Sequence, residues 1–174
     1  PMMPWMRWIT CLMFLWLALQ VPGQDADHGK RAQEVLQRIG RPDANVRSVR
    51  NASQRLVTVH FDDGGMVILS KNHGGISYSN TRESVAATKA ADRPPVLTLE
   101  QARRRALVLT PSGEAADWEI AEARSYGPGN GELSGTIRIE LCKRYYGRST
   151  RQGDRIHVAF DASTGKIIRF FEGL

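Results

Sequence analysis

The stretch that decides the fold is Arg155-Ile-His-Val-Ala-Phe-Asp-Ala-Ser-Thr-Gly-Lys-Ile-Ile-Arg-Phe-Phe171, near the end of the 174-residue chain. Its apolar residues alternate with polar ones, which predicts two strands. Ala162-Ser-Thr-Gly165 predicts a tight turn between them, with the glycine in the left-handed conformation and with Asp161 accepting hydrogen bonds from the turn. A fainter copy of the pattern is Val67-Ile-Leu-Ser-Lys-Asn-His-Gly-Gly-Ile-Ser-Tyr78. This partial repeat of the strand-turn-strand pattern predicts two similar units in one chain.

The alternation also assigns side chains of this hairpin to faces. The predicted buried face consists of apolar residues at alternate positions of the two strands, namely Ile156, Val158, Phe160, Ile168 and Phe170. We expect Ile167 and Phe171 to point the other way, where they cover an edge, contact the first unit or bind something.

The beginning of the chain has the pattern of a secretory signal peptide. Arg7 is followed by an apolar run of about 12 residues and then by small residues, which predicts a signal over residues 1–23 that is cleaved after Gly23. An uncleaved anchor is the alternative, but a spanning helix needs about 20 apolar residues. We therefore expect an exported protein, periplasmic or extracellular, without stable membrane insertion after cleavage.

Charge and cysteine content narrow the classes of function. The whole chain has 24 basic and 18 acidic residues, a formal net charge of +6. The excess is scattered, and its one basic run, Arg103-Arg104-Arg105, has no interleaved aromatic residues, so nucleic acid is not an expected partner. After cleavage only Cys142 would remain, which excludes an internal disulfide and predicts a partly buried, inert thiol.

The mature chain divides into two units. In the first, residues 24–80, a helical stripe formed by Ala32, Val35, Leu36 and Ile39 is followed by predicted strands over 45–50, 55–61, 66–71 and 76–79. Asp25 or Asp27 is the expected helix cap. Residues 81–96 are predicted to form a linker, stiffened at its end by a proline pair. One helical turn is possible within it.

The second unit, residues 97–174, repeats this order. A capping box at Thr98-Leu-Glu-Gln101 opens a helix, and strands are predicted over 117–125, 136–146, 155–161 and 166–171. The expected fold class is α+β, with two repeats of a helix packed on an antiparallel β-meander.

The second unit resembles the PepSY family of secreted domains. The residues that carry the resemblance are Glu100-Gln-Ala-x-x-x-Ala106, Ile156-His-Val-Ala-Phe-Asp161 and Thr164-Gly-Lys-Ile-Ile168. It covers about positions 97–171, and more weakly 29–80. In the first unit Lys71 and Gly74-Gly75 replace Asp161 and Thr164-Gly165, so that only the hairpin shape is kept.

The resemblance implies a non-enzymatic protein-binding module that modulates or inhibits a secreted peptidase or another envelope partner through an exposed surface of the sheet. It implies no cofactor and no catalytic residue. Two alternatives stay open. One is a small-ligand carrier or an enzyme that uses a cleft between the two units, and the other is a structural envelope component.

Two groups of residues are candidate sites. Arg144, Tyr145 and Tyr146 form the densest aromatic and basic patch, and are the predicted contact with a partner. His60 and Asp62 share a strand face at metal-ligand spacing, but a surface pair is the favoured interpretation, so no metal site is predicted. The sequence contains no GxSxG, HExxH, CxxC or phosphate-loop motif.

Overall fold

The computed structural model of the protein describes residues 22–71, 74–111, 113–145, 148–149 and 154–173. Its helices are α1 (Pro22–Arg38), α2 (Thr81–Lys89) and α3 (Leu99–Val108). Its strands are β1 (Val46–Asn51), β2 (Leu56–Phe61), β3 (Gly65–Ser70), β4 (Ile76–Asn80), β5 (Trp118–Tyr126), β6 (Thr136–Tyr145), β7 (Arg148–Ser149), β8 (Arg155–Asp161) and β9 (Ile167–Gly173). The segment predicted to be a signal peptide lies almost wholly outside these residues.

Eight of these strands form one antiparallel sheet in the order β1-β2-β3-β4-β9-β8-β6-β5, and β7 pairs with β6 beside this path. The first half of the chain contributes β1 to β4 and the second half β5, β6, β8 and β9, with β7 between β6 and β8 in the chain. The halves join where β4 pairs with β9, with Tyr78 opposite Phe170. The α+β class is confirmed, and the two halves share a single sheet.

Helices α1 and α3 cover one face of the sheet, which we call the inner face. Leu36 of α1 and Ala106 of α3 are fully buried and belong to one apolar core with Val59, Val158 and Phe170 of the sheet. The predicted stripe of α1 is buried throughout. This continuous core extends under both halves and excludes water from the inner face.

The starts of α1 and α3 differ in how well the sequence predicted them. In α3 the capping box is present, since Thr98 Oγ1 accepts from the Gln101 backbone N–H at 3.2 Å and Gln101 Oε1 accepts from the Thr98 N–H at 2.9 Å. Helix α1 instead begins at Pro22. Asp25 and Asp27 therefore lie inside the helix, and the prediction that one of them caps it is wrong.

Helix α2 lies on the opposite face of the sheet, which we call the outer face. It occupies most of the predicted linker, and the side chain of Asn80 caps it by accepting from the Glu83 N–H at 3.2 Å. Ala87 is fully buried against Ala159 and Ile168. The segment is thus a packed third helix, longer than the single turn that the sequence indicated.

The closing hairpin has the predicted turn. Gly165 has a φ of +71°, and the Asp161 carboxylate accepts from the Ser163 N–H at 2.8 Å and from the Thr164 hydroxyl at 2.7 Å.

Some side chains of β9 lie on the opposite face of the sheet from the one predicted. A β-bulge pairs Phe160 with Ile167 and Ala159 with Arg169, leaving Ile168 unpaired between them.

This bulge reverses two assignments, because an extra residue in one strand shifts the alternation of its side chains. Ile167 lies in the main core on the inner face, whereas Ile168 lies on the outer face beneath α2. Phe171 points to the outer face as predicted, since it stands opposite Ser77 and His157.

Arg41, just after α1, connects the two halves. Its guanidinium forms ion pairs with Asp63, at 3.0 Å, and with Glu83, and donates to the backbone oxygen of Ile167 at 2.9 Å. Burial opposes the charge, but the hydrogen bond to Glu83 and the nearby acids leave the pKa of Arg41 above its ordinary value. One side chain thus connects the end of α1, the β2–β3 turn, α2 and β9.

Candidate functional site

The outer face carries a trough of about 520 Å³ on the part of the sheet that α2 leaves open. Its floor crosses the junction of the two halves, from β4 through β9 and β8 to β6, and β5 and the first turn of α2 border it. Side chains from all of these elements line it, among them Ser77, Ser79, Thr81, Ser84, Glu122, Tyr126, Arg138, Glu140, His157, Arg169 and Phe171.

Strand register orders the floor into two rows. In one row Arg138 stands opposite Ala159, which stands opposite Arg169. Neighbouring strands are about 4.8 Å apart, so the two arginine Cα atoms lie about 10 Å from one another. The methyl group of Ala159, which also packs against Ala87 of α2, lies between them. This row places two cationic side chains on either side of a small residue.

The second row carries Glu140, His157 and Phe171 in the same succession of strands. Glu140 forms an ion pair with Arg155, and its other carboxylate oxygen lies 3.8 Å from His157 Nδ1. Glu122, which stands opposite Glu140 on β5, forms an ion pair with Arg124. Both acids that border the trough therefore have a cation beside them already.

Arg138 and Arg169 have no such partner. Within the described part of the chain neither forms an ion pair, and the buried Nε of Arg138 donates to no acceptor. The Arg138 guanidinium lies 5.9 Å from the centre of the Tyr126 ring. Burial, and then the positive charge of Arg169, lower the pKa of Arg138 below its ordinary value. Among the described residues that line the trough, Arg138 and Arg169 are therefore the two cations without an ion-pair partner.

Phe171 supplies the apolar part of the trough. Its side chain is exposed although most large apolar residues of the sheet are buried, with 44% of its surface open to solvent. The His157 ring lies 5.8 Å from the Phe171 ring and is tilted by 49°. Two adjacent rings beside two arginines form a surface that suits a ligand with apolar and anionic groups.

The trough continues toward α2. A second hollow of about 560 Å³ lies along that helix and shares Thr81, Ser84 and Arg169 with the trough. Val85, half exposed, lines this second hollow. Arg169 thus stands where the two hollows meet, and we call the two together the groove.

The predicted patch at the end of β6 is only partly described. Arg144 is exposed and forms an ion pair with Glu119 at 2.6 Å. The side chain of Tyr145 and the whole of Tyr146 lie outside the described residues, so the patch stays a prediction. Arg144 does not line the trough.

His60 and Asp62 are the residues at metal-ligand spacing, and Asp62 forms hydrogen bonds with a neighbouring residue. Asp62 accepts from the backbone and side-chain nitrogens of Asn45 at 3.0 and 3.1 Å, and these bonds lower the pKa of Asp62. Among the described residues no group of three or more His, Cys, Asp or Glu side chains could hold a metal ion. His60 stands opposite Met66 on the next strand.

Comparisons with protein-family models, with curated proteins and with solved structures found no match. The resemblance to the PepSY family therefore stays a prediction. No helix in the described ranges is long and apolar enough to cross a membrane.

Sequence reasoning missed the trough, although part of its signal was present. The residues that alternate with the core positions of three predicted strands are Arg138 and Glu140, His157 and Ala159, and Arg169 and Phe171. Alternation alone places them on one outward face of their strands. The pairing of β6 with β8 and the bulge in β9, which bring these residues together, have no local signature.

Proposed function

We propose that this protein is an exported, non-enzymatic binding module that holds a segment of a protein partner on the outer face of its sheet. The observation that carries the proposal is the groove formed by the trough and the hollow along α2, because two adjoining open hollows on one face can accommodate successive side chains of an extended chain. Modulation or inhibition of a secreted peptidase is the sharpest form of this proposal.

The composition of the groove supports protein binding. Exposed Phe171 and the half-exposed Val85 offer apolar contacts, while arginines and hydroxyl groups offer hydrogen bonds to a backbone or to side chains. Aromatic residues and arginine are the types enriched where protein partners bind most strongly.

Site-specific photo-crosslinking in the native host would test the proposal. A photoreactive phenylalanine analogue at position 171 should crosslink to a protein. The same analogue at position 108 provides the control, because Val108 is 81% exposed but lies on α3, which covers the inner face. Equal crosslinking from both positions, or none from position 171, would contradict the proposal.

A second candidate is a carrier of a small anionic ligand. The observation that favours it is the position of the trough across the junction between the halves, where Ser79 of β4 stands opposite Arg169 of β9. Mass spectrometry of the purified protein under native conditions distinguishes the two, because a carrier would retain a small molecule.

A further inference from the structure

We infer that Arg138 and Arg169 form a carboxylate-binding pair, and that the segment held in the trough is acidic. This inference rests on the proposed function and specifies the chemistry of the partner. It follows from a difference between the two rows of the trough. Glu140, in one row, forms an ion pair, whereas Arg138 and Arg169, in the other row, do not.

The ion pairs within the trough indicate the charge that a ligand should carry. Glu140 and Glu122 each form an ion pair with an adjacent arginine, whereas Arg138 and Arg169, on either side of Ala159, form no ion pair with any described residue. Two neighbouring cations repel each other, and a carboxylate between them would relieve the repulsion. An anionic group is therefore the complement of this row.

The geometry also suits one carboxylate rather than a diffuse negative surface. Ala159 separates the two arginines along the row, so a carboxylate of the ligand that lies beside α2 can lie between their guanidinium groups. The hydroxyl groups of Ser79 and Thr81 line the same part of the trough and can donate to a second oxygen. Guanidinium groups bind carboxylates through paired, directional hydrogen bonds.

The width of the trough limits the number of residues of the bound segment that can contact it. The five strands that form the trough span about 19 Å, which corresponds to about six residues of an extended chain. The charge and length together favour a short acidic segment of a protein, whose apolar side chains would contact Phe171 and His157.

The test uses two fluorescein-labelled peptides of about ten residues, one that alternates glutamate with valine and a twin with glutamine in place of each glutamate. Fluorescence anisotropy should show that the acidic peptide binds about ten-fold or more tightly than its twin, and that this preference weakens as salt is added. Arg138→Gln and Arg169→Gln should each remove the preference.

Arg103→Gln provides the matched control. Arg103 is exposed on α3, which covers the inner face, and it does not line the trough, so its loss should change affinity by less than about two-fold. Should Arg138→Gln impair folding, Arg169→Gln decides the question, because Arg169 lies on the surface.

The alternative outcomes separate the inference from the proposed function. Equal binding of both peptides that is lost in Phe171→Ala would overturn the carboxylate pair and leave the protein-binding groove standing. Binding of inorganic phosphate with no binding of either peptide would overturn both in favour of a small-anion carrier. Self-association in sedimentation experiments that is lost in Arg169→Gln would also overturn the inference, because a second copy would then occupy the trough.

Discussion

At the end of β8 the carboxylate of Asp161 holds the closing hairpin in its turn. It is 4% exposed and accepts from the Ser163 N–H, the Ser163 hydroxyl and the Thr164 hydroxyl. We expect Asp161→Ala to lower the free energy of unfolding by about 2 kcal/mol, because it leaves these donors without an acceptor. Urea denaturation at neutral pH measures the change. Asp92→Ala, at an exposed site, should alter stability by less than about 0.5 kcal/mol.

Cys142 provides a second test at the scale of the residue. Its thiol is 4% exposed, and burial, followed by the negative charge of Glu119, raises its pKa. We expect iodoacetamide at pH 8 to leave Cys142 unmodified in the folded protein and to alkylate it in urea, as mass spectrometry of a digest would reveal. Rapid alkylation of the folded protein would contradict the assigned burial.

Residues that act through neighbours in sequence could be predicted, and residues that act across strands could not. Asp161 and Gly165 make their turn within five residues of chain, so composition alone indicated their roles. Arg138 and Arg169 acquire significance only because β6, β8 and β9 are adjacent and because their neighbours on those strands leave them unpaired. No local pattern contains that information.

The element that the sequence described least well is α2. Its only fully buried residue is the small Ala87, packed against Ala159 and Ile168, so it has no apolar stripe of the usual width. Ala87→Leu should therefore lower the free energy of unfolding by about 1–3 kcal/mol through overpacking. Val85→Leu, half exposed on the same helix, is the matched control and should have little effect. Equal effects of the two substitutions in urea denaturation would show that α2 is not packed as described.

The sequence predicted the positions of the strands but not the features that depend on how the strands pair. All eight strands of the main sheet lie where alternation placed them, to within a few residues, because each half buries one face. The exchange of Ile167 and Ile168 could not be anticipated, since a bulge depends on the partner strand and leaves no mark in the sequence of β9.

For the whole molecule, the decisive feature is the single sheet that β4 and β9 complete. Since both halves share one core and are linked by Arg41, we expect them to unfold together. Hydrogen exchange should give the same free energy of opening for Val59 in β2 and Val158 in β8. In Arg41→Gln both values should fall by the same amount, about 2 kcal/mol. Unequal values would indicate two independent units.

Titration followed by amide chemical shifts will show whether the outer-face trough binds an acidic polypeptide segment. As the glutamate-containing peptide is added to the ¹⁵N-labelled protein, shifts should move for residues 77–79, 138–140, 157–159 and 169–171, which line the trough. Amides of α3, beyond the inner face, should stay in place. Shifts confined to α3 or to the β1 edge, with none in the trough, would contradict the account.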